Sequence, residues 1–210
     1  MAGNATSAGP ISGNKVDKKA PSITISAPTN TAYLLGKVVA ASYSCTDGGS
    51  GVASCLGTVA NGANINTSSV GAKSFTVNAK DNVGNTGNAS VNYSVNYNFS
   101  GFFQPVDNQP TLNAVKAGQS VPVKFALGGN QGLSIFAAGY PKSQQITCGG
   151  GAVDDIEQTV TAGSSSLSYD ATTQQYTYVW KTDTTWAGTC RQLLVRLADG
   201  TDHLANFQFK

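Results

Sequence analysis

Apolar side chains recur at every second position in several stretches of this chain, and that rhythm most narrows what it can fold into. Phe75, Val77 and Ala79 alternate in SFTVNA, and Val91, Tyr93, Val95 and Tyr97 in VNYSVNY. Val121, Val123, Phe125 and Leu127 do so in VPVKFAL, Tyr176, Tyr178 and Trp180 in YTYVW, and Leu193, Val195 and Leu197 in LLVRL. A two-residue period puts one face of a strand into a core and the other toward water. The segments between them, DGGSG, NGAN and DNVGN, carry turn chemistry, and Asp199-Gly200 marks a hairpin. No segment shows a convincing helical period. The expectation is an all-β chain of two tandem antiparallel β-sandwiches, the first immunoglobulin-like.

Composition agrees with that reading. Only 11% of the 210 residues are charged, against a usual share of roughly 25%. Ser, Thr, Asn and Gly take their place, which suits strands and tight turns. Residues 18–98 read as the first sandwich and 99–210 as the second, with the aromatic and proline-punctuated FSGFFQPVDN as the seam. Residues 1–17 read as a linker and the remnant of a preceding repeat. AGNATSAGPISGNKV can be laid over VGNTGNASVNYSVNY one domain length downstream, which suggests a tandem array. Met1 then reads as an added start on an excised fragment.

The four cysteines, Cys45, Cys55, Cys148 and Cys190, divide evenly between the halves, and the chain has one histidine. A closed zinc site needs four thiolate or imidazole ligands in close pairs, and redox sites want CxxC; neither is present. Two intradomain disulfides, Cys45–Cys55 and Cys148–Cys190, fit the count, with free buried thiols as the alternative. Disulfides persist outside the cytosol, so the expected location is extracellular, secreted or at the cell surface. A net charge of +2 gives no basic face for nucleic acid. No apolar run approaches the roughly 20 residues that span a bilayer.

Catalytic signals are poor. The one histidine, His203, lies in GTDHLANF after a hairpin, with no G-x-S-x-G to accompany it. The single glutamate, Glu157, sits near Asp154 and Asp155 in GGGAVDDIEQTV, which reads as a solvated acidic loop. No phosphate-binding glycine loop precedes a helix. The chain is not expected to be an enzyme.

Binding signals are sharper. In an immunoglobulin-type sandwich the linker Asp17, the loop Asp47 and the loop Asp81 fall at the same end, and Asn82 and Asn85 can add oxygens. Calcium takes six to eight such oxygens, and bridging a linker to two loops would stiffen a joint between repeats. Aspartates that open DGGSG and DNVGN are also favoured for side-chain-to-backbone turn bonds, so both readings stay open. Trp186 is the candidate for stacking on a sugar ring; packing on the Cys148–Cys190 bridge is its structural alternative. Lys124 reads as a surface charge, with a Lys–Asn crosslink as the rarer possibility. Asn-x-Ser/Thr triplets at Asn4, Asn66, Asn88, Asn92 and Asn98 match chance in so Asn-rich a chain.

Two resemblances follow. Asp17-Lys18-Lys19-Ala20-Pro21, Tyr43-Ser44-Cys45-Thr46-Asp47 with Ser50-Gly51-Val52, and Asp81-Asn82-Val83-Gly84-Asn85 resemble bacterial immunoglobulin-like repeats, including hyalin-type repeats. Pro122-Val123-Lys124-Phe125, with Gly128, Gly132-Leu133 and the terminal WAGTCRQLLVRLADGTDHLANFQFK, resembles the PxKF domain. Together they imply a non-catalytic extracellular module, a spacer, stalk or adhesive C-terminal region of a larger secreted or surface bacterial protein. The alternative is an accessory carbohydrate-binding region beside a secreted hydrolase. Implied partners are neighbouring repeats of the same chain and a glycan or surface protein.

Overall fold

The computed structural model describes residues 16–149, 153–155 and 166–210. The overlaid N-terminal stretch, apart from Val16, lies outside the described residues, as do Asn4 and Glu157. The chain is all-β, its helical content among the described residues being one 3-10 turn at Thr184–Trp186. It divides into two compact units: residues 16–29, Val39–Ile65 and Ser74–Val91 in the first, Asn30–Val38, Asn66–Lys73 and Asn92–Lys210 in the second.

Six strands come first: β1 (Ser22–Ala27), β2 (Ala32–Leu34), β3 (Ser42–Thr46), β4 (Val52–Gly57), β5 (Gly71–Asp81) and β6 (Thr86–Asn96). β1 pairs with β3, and the other four form a sheet in the order β2-β6-β5-β4. Phe75, Val77 and Ala79, the alternating set of SFTVNA, are at most 3% exposed. Cys45 of β3 is bonded to Cys55 of β4, so this cystine links the two sheets directly.

The later strands are β7 (Ser100–Phe103), β8 (Leu112–Val115), β9 (Ser120–Ala126), β10 (Lys142–Ile146), β11 (Val153–Asp155), β12 (Ser166–Asp170), β13 (Gln175–Lys181), β14 (Cys190–Arg196) and β15 (Asp202–Phe209). One sheet runs β12-β13-β9-β7 and the other β10-β14-β15-β8-β11. Val121, Val123, Phe125, Tyr176 and Trp180 from the first meet Leu193, Val195, Ala205, Phe207 and Phe209 from the second in one core. The apolar members of VPVKFAL therefore point inward, as their period requires. Pro122 and Lys124 alternate to the other face, where Lys124 lies opposite Phe103 and Thr177. Cys148 is bonded to Cys190, tying the tail of β10 to its neighbour β14.

Most pairings are antiparallel, but β2–β6, β8–β15 and β8–β11 are parallel, an arrangement the alternation did not reveal. The first two have one origin. In each case the opening strand breaks at a proline and its two parts join different partners: β1 joins β3 and β2 joins β6, while β7 joins β9 and β8 joins β15. Pro28 follows β1, and Pro105 and Pro110 lie between β7 and β8. Proline cannot donate to a ladder, so the strand stops and resumes elsewhere.

Candidate functional site

Three loops of the first unit converge on an acidic cluster. Asp17 precedes β1, Asp47 opens the β3–β4 loop, and Asp81 ends β5 at the turn into β6. One carboxylate oxygen from each lies within 4.8 Å of the others. Asp81 is 1% exposed, and Asp17 and Asp47 are half-buried.

Each carboxylate is fixed by backbone donors. Asp47 Oδ2 accepts from Gly49 N at 3.1 Å and Gly51 N at 2.8 Å, which sets the loop; Gly51 has φ +84°, a conformation side chains rarely tolerate. Asp81 Oδ1 accepts from Val83 N at 3.0 Å and Asn85 N at 2.8 Å, and its Oδ2 from Asn85 Nδ2 at 2.7 Å. Asp17 Oδ1 accepts from Lys19 N at 3.0 Å. Its Oδ2 reaches across to Ser50 N at 2.7 Å. Asn85 Nδ2 also donates to Asp17 O at 3.2 Å. A Cβ on Gly49 would overlap the Asp17 carboxyl group, so glycine there keeps the space Asp17 occupies. Turn bonding and convergence therefore coexist in the same three residues.

These donors favour the charged forms of Asp17 and Asp81. The Lys19 and Ser50 N–H groups hold the Asp17 pKa below the ordinary carboxylate value. For Asp81, burial pushes the pKa up, and the Asn85 side chain with the turn N–H groups outweighs it, leaving the pKa lowered. Among the described residues no lysine or arginine forms an ion pair with any of the three. Ser50 Oγ, shielded from solvent beside the Asp17 carboxylate, makes no well-formed hydrogen bond. A cleft of about 380 Å³ opens here, lined by Val16, Asp17, Gly48, Gly49, Ser50 and Val83. Asn82 and Asn85 lie beside the cluster with their amide nitrogens engaged, Asn82 Nδ2 donating to Ser50 O at 2.8 Å. Their nitrogens thus orient the two amides beside the carboxylates.

The other singled-out residues lie in the second unit. Trp186 packs on Trp180 and Phe209, with ring centroids at 5.7 and 5.4 Å. The Arg191 guanidinium sits over its ring at 4.2 Å. His203 stacks on Phe99 with centroids 3.5 Å apart, and its Nε2 is 3.0 Å from Thr201 Oγ1. Asp154 and Asp155 are on β11, with the Asp155 side chain outside the described residues.

No family model matches the chain, and no curated protein matches it either. Among solved structures it is similar to the Bacteroides ovatus mixed-linkage glucan utilization locus protein SGBP-B, in complex with a mixed-linkage heptasaccharide. That likeness has 11% identity, a TM-score of 0.25, and covers 89% of this chain. The chain spans 47% of the length of that protein. No helix among the described residues is long and apolar enough to cross a membrane.

Proposed function

We propose that the chain is a non-catalytic extracellular module, a spacer or stalk in which a divalent cation clamps the incoming linker to two loops. It comprises an immunoglobulin-like repeat over residues 18–98 and a PxKF-type sandwich over 99–210. The observation that carries this reading is the approach of Asp17, Asp47 and Asp81 to within 4.8 Å. Calcium fits the all-oxygen donor set, and a bound cation would offset the mutual repulsion of the carboxylates. Ser50 Oγ adds an oxygen beside them. Anchoring the linker at its last turn before β1 limits how a preceding repeat can swing.

Two further observations support the reading. Both cystines suit an oxidising compartment. The surroundings of His203 suit structure better than catalysis, because Asp199 bonds the Thr201 hydroxyl at 2.6 Å. A catalytic triad needs that carboxylate on the imidazole.

Thermal melting with and without chelator tests the proposal. A cation at a hundred times its dissociation constant stabilises by roughly 2.7 kcal/mol, so chelator lowers the melting temperature by several degrees and calcium restores it. A melting temperature unmoved by chelator overturns the clamp.

A further inference from the structure

The second unit carries a cleft that the cation clamp does not use. β8 begins opposite Asn206, so the first half of β15 runs on past the end of that strand. A cleft of about 340 Å³ opens there, lined among others by Phe99, Gln109, Asp202, His203 and Leu204. Its volume falls at the lower end of the range for small-ligand sites.

The cleft leads into a row of amides across the outer face of the sheet. Gln144 of β10, Gln192 of β14 and Asn206 of β15 occupy successive register positions. Gln144 Nε2 donates to Gln192 Oε1 at 3.1 Å, and Gln192 Nε2 to Asn206 Oδ1 at 3.0 Å. Gln109 Nε2 donates to the same Asn206 oxygen at 3.1 Å, so the row ends at the cleft. These bonds orient the amides and use part of their capacity, since each has two N–H donors and two acceptor lone pairs. The next register row holds Leu194 and Leu204, both half-buried, with the exposed Lys142 at its β10 end. The face thus offers an apolar stripe beside an amide stripe, the pattern that a pyranose presents as a C–H face and a hydroxyl edge.

Charge narrows the ligand. Arg196 grips Asp202 with two bonds of 2.6 Å, so the carboxylate at the cleft is already neutralised. The amide row carries no charge, and Lys142, which continues the leucine row on β10, places its ammonium over the Tyr140 ring at 4.7 Å. Strands lie roughly 4.8 Å apart, close to what one pyranose adds to a linear chain, so successive rings meet successive amides.

We propose that this cleft and amide row bind a neutral polysaccharide. Rings stack at the Phe99–His203 end, and hydroxyls exchange hydrogen bonds with Gln109, Asn206, Gln192 and Gln144.

Native affinity electrophoresis of the full chain tests this, in gels containing hydroxyethyl cellulose, laminarin or yeast mannan, with alginate as the anionic control. At least one neutral polymer should retard the chain while alginate does not. Gln109→Ala and Gln192→Ala should each weaken retardation at least tenfold, and Trp186→Ala should leave it intact. Gln109 is exposed, so its variant keeps the test sharp if a strand variant fails to fold. Mobility unchanged in all three neutral polymers overturns the proposal. So does retardation that survives Gln109→Ala and Gln192→Ala, or that alginate reproduces.

Discussion

The carboxylate of Asp17 accepts a hydrogen bond from the Ser50 amide at 2.7 Å, across 33 positions of chain. Asp17, ahead of β1, is thereby held by the loop that the Cys45–Cys55 bridge closes. The second unit repeats the device. Asp199, in the hairpin before β15, accepts from Tyr97 N at 2.8 Å. In each case a loop is joined by a carboxylate–amide bond to the segment leading into a strand, β1 in one and β7 in the other.

Tyr43 makes the first prediction. Its hydroxyl donates to Val59 O at 3.1 Å and accepts from Gly57 N at 3.0 Å. Tyr43→Phe leaves both groups without that partner and should cost about 1–3 kcal/mol in denaturant unfolding. Gly57→Ala should cost a similar amount, because the new Cβ would lie 2.6 Å from the Tyr43 ring and 2.8 Å from Val59 O. Wild-type stability in either variant would contradict this packing.

Asn113 makes the second. It is 1% exposed; its Oδ1 accepts from Asp107 N at 2.8 Å, and its Nδ2 donates to Asp107 O at 3.1 Å and Asn206 O at 3.0 Å. Asn113→Leu keeps the bulk and loses all three bonds, so a loss of about 2–4 kcal/mol is expected from chemical denaturation. Asn113→Asp should also destabilise, since it replaces a donor with a charge.

The two cystines should differ in worth. By the chain-entropy model, closing 10 positions gives about 3 kcal/mol and closing 42 about 4 kcal/mol. Double Cys→Ala variants at Cys45/Cys55 and at Cys148/Cys190, compared by urea unfolding, measure both. Alkylation of all four thiols in the unreduced protein would contradict the pairing.

The single histidine gives a pH prediction. Burial lowers the His203 pKa below 6.5, while Asp199 and Asp202 oppose that shift. The unfolded chain then binds more protons than the folded one between the two values. Stability should be full above about pH 6.5 and fall as pH drops through the lower, folded value. His203→Phe should flatten that part of the profile. The lowered Asp17 and Asp81 act only further into acid, where their protonation also removes stability. An NMR titration placing His203 at or above 6.5 would refute the assignment.

Much of this was legible in single residues. Val121, Val123, Phe125, Leu193, Val195 and Leu197 alternate in sequence, and all are fully buried. Asp17, Asp47 and Asp81 could be brought together on paper because a two-sheet sandwich places a linker and two loops at one end. What escaped reading depends on distant partners. Asn113 is an unremarkable polar residue in LNAV until Asn206, 93 positions on, supplies its acceptor. β2 and β8 are three and four residues long, too short for a period to show, so their parallel pairing was invisible. Nor does the local sequence around Trp186 show that Trp180, Phe209 and Arg191 reach it through the fold.

Calorimetric titration of the metal-stripped full chain with calcium chloride tests the clamp most directly, with Asp17→Asn and Asp47→Asn run alongside. The account predicts a saturable one-site isotherm for the wild-type chain, weakened at least tenfold in both variants. No calcium heat above dilution, or an isotherm that both variants reproduce, would contradict it.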